Sequence, residues 1–169
     1  MALARAALRH AGEVAFVLPR VFPHKEYEGP TFEQRLDLLR IAVRPEPRFS
    51  LASVEGGLFI DITRALRVSD PLIERVLFVC GRDAAERIVN WDYTGREPIE
   101  EQMREYGLLV APRGGIYVPP SNLSVTHMEI GEPLDDVSSS EVRRRIKSGH
   151  DWRHLLAPGI EDDVIRLYV

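Results

Sequence analysis

The run Val76-Leu77-Phe78-Val79-Cys80, closed at once by Gly81, is the strongest constraint on the fold. Successive side chains of a strand point to opposite faces, so an uninterrupted apolar run cannot belong to a sheet with one wet face. It needs cover on both sides, which is the situation of a parallel strand flanked by helices. The rest of the chain alternates in the way such a sheet requires. Ala2–His10 is rich in helix formers and ends near Gly12; Glu13–Leu18 is a short apolar strand. Thr31 opens a helix as a capping box with Gln34, and Phe32, Leu36, Leu39 and Val43 recur along one face until Pro45 and Pro47 stop it.

Further on, Phe49–Val54 reads as a strand and Asp61–Val68 as a short helix. Asp83–Trp91 reads as a helix after the Arg75–Cys80 strand, and Pro98–Tyr106 as another. Leu108–Ala111 and Val125–Ile130 are expected strands. Ser138 starts a helix that Gly149 ends, and Ile160–Tyr168 closes the chain. The alternation predicts one α/β domain over residues 1–169, with a mostly parallel sheet covered by helices. There is no internal repeat and no low-complexity linker.

Composition narrows the function classes. The formal net charge is -4, which does not suit a polyanion binder, and the basic run Arg143–Lys147 has no aromatic residues interleaved with it, so nucleic acid is not an expected partner. The single cysteine, Cys80, lies inside the apolar run and reads as a buried strand residue; one cysteine makes no internal disulfide, which suits a reducing cytoplasm. No segment approaches the roughly 18 apolar residues of a membrane span.

Ligands of such sheets bind beyond the carboxyl ends of the strands, which directs attention to three loops. His24 and Lys25, after the first strand, can donate charge-assisted hydrogen bonds to phosphate, and equally suit a solvated loop. Gly81 permits a tight turn, and Asp83 either caps the next helix or accepts hydrogen bonds from a ribose or base. In Val137-Ser138-Ser139-Ser140-Glu141-Val142-Arg143, Ser138 and Glu141 have capping-box spacing. The helix start attracts anions, and Arg143 lies one turn in. A capped surface helix with Arg143, Arg144, Arg145 and Lys147 in water has the same spacing. His150 and His154 stand four apart, but the intervening residues read as a loop and no metal is assigned to them.

Together these stretches resemble the nicotinate/nicotinamide-mononucleotide adenylyltransferases. EVAFVLPRVFPHK and TFEQRLDLLRIAV are similar to that family's second strand, Pro-His-Lys loop and Arg-bearing helix. VLFVCGRDAAERIVNW is similar to its Gly-x-Asp strand end with a later Trp, and VSSSEVRRRIKSG to its Ile-Ser-Ser-Thr-x-Ile-Arg motif. The resemblance runs from about Ala2 to Val169. It implies a Rossmann-like fold and transfer of an adenylyl group from ATP to a mononucleotide with release of pyrophosphate, in NAD synthesis, with Mg²⁺ accompanying ATP. It implies that Gly81, Asp83, Ser138, Ser139 and Arg143 hold ATP, and that His24, Lys25, Arg35 and Trp91 hold the mononucleotide. A related enzyme with another acceptor, such as a cytidylyl- or pantetheine-phosphate adenylyltransferase, and a non-catalytic nucleotide-binding domain are the competing expectations.

Two departures stand out. The family's opening strand and His-x-Gly-His do not occur in this sequence, so no catalytic residue is assigned; Met1 is expected to be an internal methionine taken as a start. That strand lies between the Glu13–Leu18 and Arg75–Cys80 strands in the family's order, and without it they would stand about 10 Å apart. Closure of the gap, occupation by another segment, or disorder is expected there, because unsatisfied buried backbone groups cost about 1–3 kcal/mol each. Exposed edges of this kind also make a homodimer an expected assembly. The second departure is Phe59, which stands where the family tends to have a tyrosine before the pyridine pocket.

Overall fold

The computed structural model describes residues 1–21, 29–112, 115–130 and 138–168. Helix α1 (Ala2–Ala7) leads to strand β1 (Val14–Pro19), helix α2 (Phe32–Val43) and strand β2 (Phe49–Val54). Helix α3 (Phe59–Ser69), strand β3 (Val76–Gly81), helices α4 (Arg82–Val89) and α5 (Ile99–Gln102), and strand β4 (Tyr106–Ala111) follow. A two-residue strand β5 (Thr126–His127), helix α6 (Ser139–Lys147), a 3-10 turn at Arg153–Leu155 and helix α7 (Glu161–Tyr168) complete the described chain. All pairings are parallel, as the continuous apolar runs require. The fold is α/β and Rossmann-like.

The capping box of α2 forms as its sequence specifies. Gln34 N–H donates to Thr31 Oγ1 at 3.2 Å, and Thr31 N–H donates to Gln34 Oε1 at 2.8 Å. Two N–H groups at the N-terminus of α2 are thereby satisfied locally. Two expected elements are shorter than their patterns. The helix expected over Pro98–Tyr106 stops at Gln102, because Tyr106 is drawn into β4, its ring set edge-on to Phe59 and Phe78 with centroids 5.9 and 5.3 Å away. The strand expected over Val125–Ile130 pairs with β4 only at Thr126 and His127.

The strands fall into two sheets, β1-β2 and β3-β4-β5. Among the described residues β1 and β3 do not pair, and no strand lies between them, so the expected interruption of the sheet is present and is not closed. Helix α1 spans it. Ala4 packs with Val43 and Phe49 on the β1-β2 side, whereas Ala6 and Ala7 pack with Leu109, Ala111 and Met128 and against Leu77 and Val79. Arg9, just after α1, donates to the carbonyl of Glu129 beyond β5. The main core sits on the other face of β3-β4, where Ile60, Ala85, Leu108 and Val110 are almost fully buried. Each such Ile, Leu or Val contributes about 1.5–3 kcal/mol by leaving water. Cys80 belongs to this core, and burial pushes its thiol up to about 11, so it is a packing residue as its sequence context indicated. Among the described residues no helix is long and apolar enough to cross a membrane.

Candidate functional site

Parallel pairing brings the carboxyl ends together within each sheet: Pro19 of β1 beside Val54 of β2, and Gly81 of β3 beside Ala111 of β4. Around the end of β1, Arg20 lies over the Phe32 ring with its guanidinium carbon 4.1 Å from the centroid. Arg35 stands 5.9 Å from that same centroid. Arg20 also reaches Glu55 after β2 at 3.3 Å and Glu33 at 3.8 Å. Arg35 is thus placed near the carboxyl end of β1; His24 and Lys25 lie outside the described residues. Arg20 and Phe32 are site-frame residues that the sequence reading passed over. An arginine one step past a strand end was the available signal, but its aromatic partner comes from another element.

At the end of β3, Gly81 is the N-cap of α4 with φ -85° and ψ 171°. Any residue adopts that conformation, so a tight turn is not the reason for glycine here, a correction to the sequence reading. Of the two readings of Asp83, the cap is not formed. The residue lies exposed in the first turn, where a carboxylate is favoured by the helix dipole and remains open to a ligand. Arg82 in the same turn pairs with Glu86 at 2.9 Å.

Trp91 follows α4 and is half-buried, outside the main clusters of buried side chains. Its loop is fastened by Arg96, whose Nη1 donates to Asp61 Oδ1 at 2.7 Å. Asp61 opens α3, and the backbone at Gly56 comes so close that a Cβ there would lie 3.1 Å from Asp61 Oδ2. The ion pair therefore brings the Trp91 loop to the segment containing Phe59. Phe59 itself stacks face to face on Phe78, centroids 3.8 Å apart and planes 8° from parallel. Its ring is a packing element, and it has no hydroxyl to offer. The Asp61–Arg96 pair, 35 residues apart in sequence, left no local signal.

The third expected element is α6. Ser138 is its N-cap and accepts from Glu141 N–H at 3.1 Å, as the spacing specified. The reciprocal half of the capping box is replaced. Glu141 accepts two hydrogen bonds from Arg144, at 2.8 and 2.6 Å, and one from Arg145 at 2.6 Å. These guanidinium groups hold its carboxyl well down, at about 2. Arg145 also donates to the Asp151 carbonyl at 3.0 Å, and His154 lies 3.0 Å from the Asp151 carboxylate. Two of the three consecutive arginines are therefore engaged, and Arg143 is left exposed with one weak contact, 3.4 Å to Ser140 Oγ. Ser139 and Ser140 are exposed beside it. Helix α6 is anchored from behind by Val142, which packs with Trp152 and Val164 and against Leu38 of α2.

The structure thus presents the expected residues in separate groups: Gly81 and Asp83 at β3-α4, Ser138, Ser139 and Arg143 at α6, Arg35 on α2 and Trp91 after α4. No hydrogen bond or ion pair joins the first two groups among the described residues. A ligand that touches both must span them. Among the described residues no group of three or more His, Cys, Asp or Glu side chains is gathered for a metal.

The sequence profile described as cytidylyltransferase-like matches residues 1–145. The chain belongs to the cytidylyltransferase-like family. Relatives of the chain share a narrower name. A probable nicotinate-nucleotide adenylyltransferase of Thermus thermophilus is 30% identical over 154 residues, covering 88% of this chain and 77% of the relative. One from Exiguobacterium sibiricum is 28% identical over 148 residues, covering 85% and 75%. One from Carboxydothermus hydrogenoformans is 26% identical over 182 residues, covering 98% and 87%. This member of the cytidylyltransferase-like family is a nucleotidyltransferase.

Proposed function

We propose that the protein transfers the adenylyl group of ATP to nicotinate mononucleotide in NAD synthesis. A 5′-phosphate oxygen of the mononucleotide attacks the α-phosphorus of ATP, the bond from that phosphorus to the bridging oxygen breaks, and pyrophosphate leaves. No protein nucleophile takes part, so the protein contributes position and charge. The observation that carries the reading is the arrangement at α6. Glu141 binds Arg144 and Arg145 and leaves Arg143, with Ser139, at a helix start for the triphosphate. In this reading Gly81 and Asp83 take the adenosine of ATP, Ser138 shapes the helix start, and His24 and Lys25 meet phosphate. Trp91 stacks on the pyridine ring, with Arg35 in support. Mg²⁺ accompanying ATP would offset phosphate charge. The names of the relatives support nicotinate mononucleotide as acceptor, the reading places the reaction in the cytoplasm, and a homodimer is its expected assembly.

The burial of Phe59 against Phe78 favours a second reading, a different acceptor, because the position offers no hydroxyl to a pyridine carboxylate or amide. One experiment separates the readings. Pyrophosphate release from ATP and Mg²⁺ is measured with nicotinate mononucleotide, nicotinamide mononucleotide and phosphopantetheine in parallel, for this chain and for a form extended upstream in frame. Turnover with nicotinate mononucleotide is the expected result. Turnover with another acceptor only replaces the assignment, and ATP binding without turnover in either form makes the protein a nucleotide-binding domain.

A further inference from the structure

A cavity of 480 Å³ opens at the opposite edge of the larger sheet, where β3 and β4 begin. Its lining includes Arg67 from the last turns of α3, Glu74 and Arg75 before β3, Arg104 and Glu105 before β4, and the approach to β5. The charges do not cancel. Glu105 is occupied: Arg64 reaches it at 2.6 Å, and Arg67 lies 3.8 Å from it while donating to its backbone carbonyl at 2.9 Å. Arg64 also binds Glu97 at 2.9 Å, so these two arginines and two glutamates neutralise one another. Arg75 and Arg104 have no ion pair or side-chain hydrogen bond among the described residues, and Glu74 is the one carboxylate of the cavity left to set against them. Gly107 fixes where one of them lies. A Cβ there would stand 2.8 Å from Leu77 Cδ2, so the missing side chain makes room for Leu77, and it would stand 3.9 Å from Arg75 Nη2, an ordinary contact that puts the Arg75 guanidinium over the β4 backbone at the cavity wall. Ser124 and Thr126 also line the cavity.

We propose that this cavity is a second anion site, distinct from the nucleotide edge, which takes a phosphate-class oxyanion between Arg75 and Arg104. Guanidinium groups match such an oxyanion in both charge and geometry, and a concave site holds it better than an open surface does. The proposal does not depend on which acceptor the nucleotide edge uses.

The test is a titration of the ¹⁵N-labelled chain with inorganic phosphate at low ionic strength, followed by amide resonances. Saturable shifts are expected at Gly107, Val125 and Thr126, and the Arg75→Gln/Arg104→Gln chain is expected to weaken them about tenfold or more, the loss of charge-assisted contacts. Arg143→Ala is expected to leave them in place while abolishing shifts near Ser139, which separates this site from the nucleotide edge. Silence at Gly107, Val125 and Thr126, or shifts there that the double variant keeps, overturns the proposal. If the double variant loses its dispersed spectrum, Arg104→Gln alone, at an exposed position, gives the same reading.

Discussion

Glu141 decides what its neighbours are free to do. By binding Arg144 and Arg145 it leaves Arg143 as the exposed guanidinium at the start of α6. Arg143→Ala is expected to lower kcat/KM for ATP by about 10- to 100-fold, the worth of a charge-assisted contact, with an unchanged circular dichroism spectrum. Arg144→Ala should change it far less, and equal losses from the two would remove the assignment. The clamp is also pH-dependent in a definite direction. The Glu141 carboxyl is lowered in the folded protein from its ordinary 4.5 to about 2, so its ionised form favours the folded state. That contribution is complete above about 4.5 and fades as pH falls through about 2. A carboxyl ¹³C titration of Glu141 should show a midpoint near 2, and one near 4.5 would mean the arginines are not bound in solution. Cys80, its thiol raised to about 11 by burial, should resist thiol reagents at neutral pH until the protein unfolds.

At the scale of elements, local chemistry was legible and distant chemistry was not. The Thr31–Gln34 box could be read because its two bonds close within one turn. Thr31→Ala should cost about 1 kcal/mol, lowering the thermal midpoint by about 2–4 °C, which a melt followed by circular dichroism will register. The ranges of β1, β2 and β3 were legible for a similar reason, since an apolar run bounded by turn residues needs no partner to be recognised. The early end of α5 was not, because Tyr106 is held by Phe59 and Phe78, rings from two other elements. At the candidate site, the serine-arginine start of α6 could be found by spacing alone. The fastening of the Trp91 loop by Asp61–Arg96 and the stack of Arg20 on Phe32 depend on tertiary placement. Gly81 shows the opposite error: glycine suggested a special backbone angle, and the angle is ordinary.

The whole molecule is organised around the break between its sheets. Val14 and Arg20 donate to Arg48 and Val54 on the β2 side. Because donors alternate along a strand, Ala15 and Val17 point to the other edge, and Pro19 has no donor to place there. Amide exchange should therefore be faster at Ala15 and Val17 than at Phe16 and Leu18; equal protection of all four would mean that edge is covered in solution. What crosses the break is α1, and it does so with alanines, Ala4 toward one sheet and Ala6 and Ala7 toward the other. Side chains this small bring the helix close to both layers at once and leave it nothing to yield. It works as a shim between two plates that, among the described residues, no strand ties together. A thicker residue at any of these positions would pry at both plates, and damage that began as one methylene would surface at two places far apart in the chain.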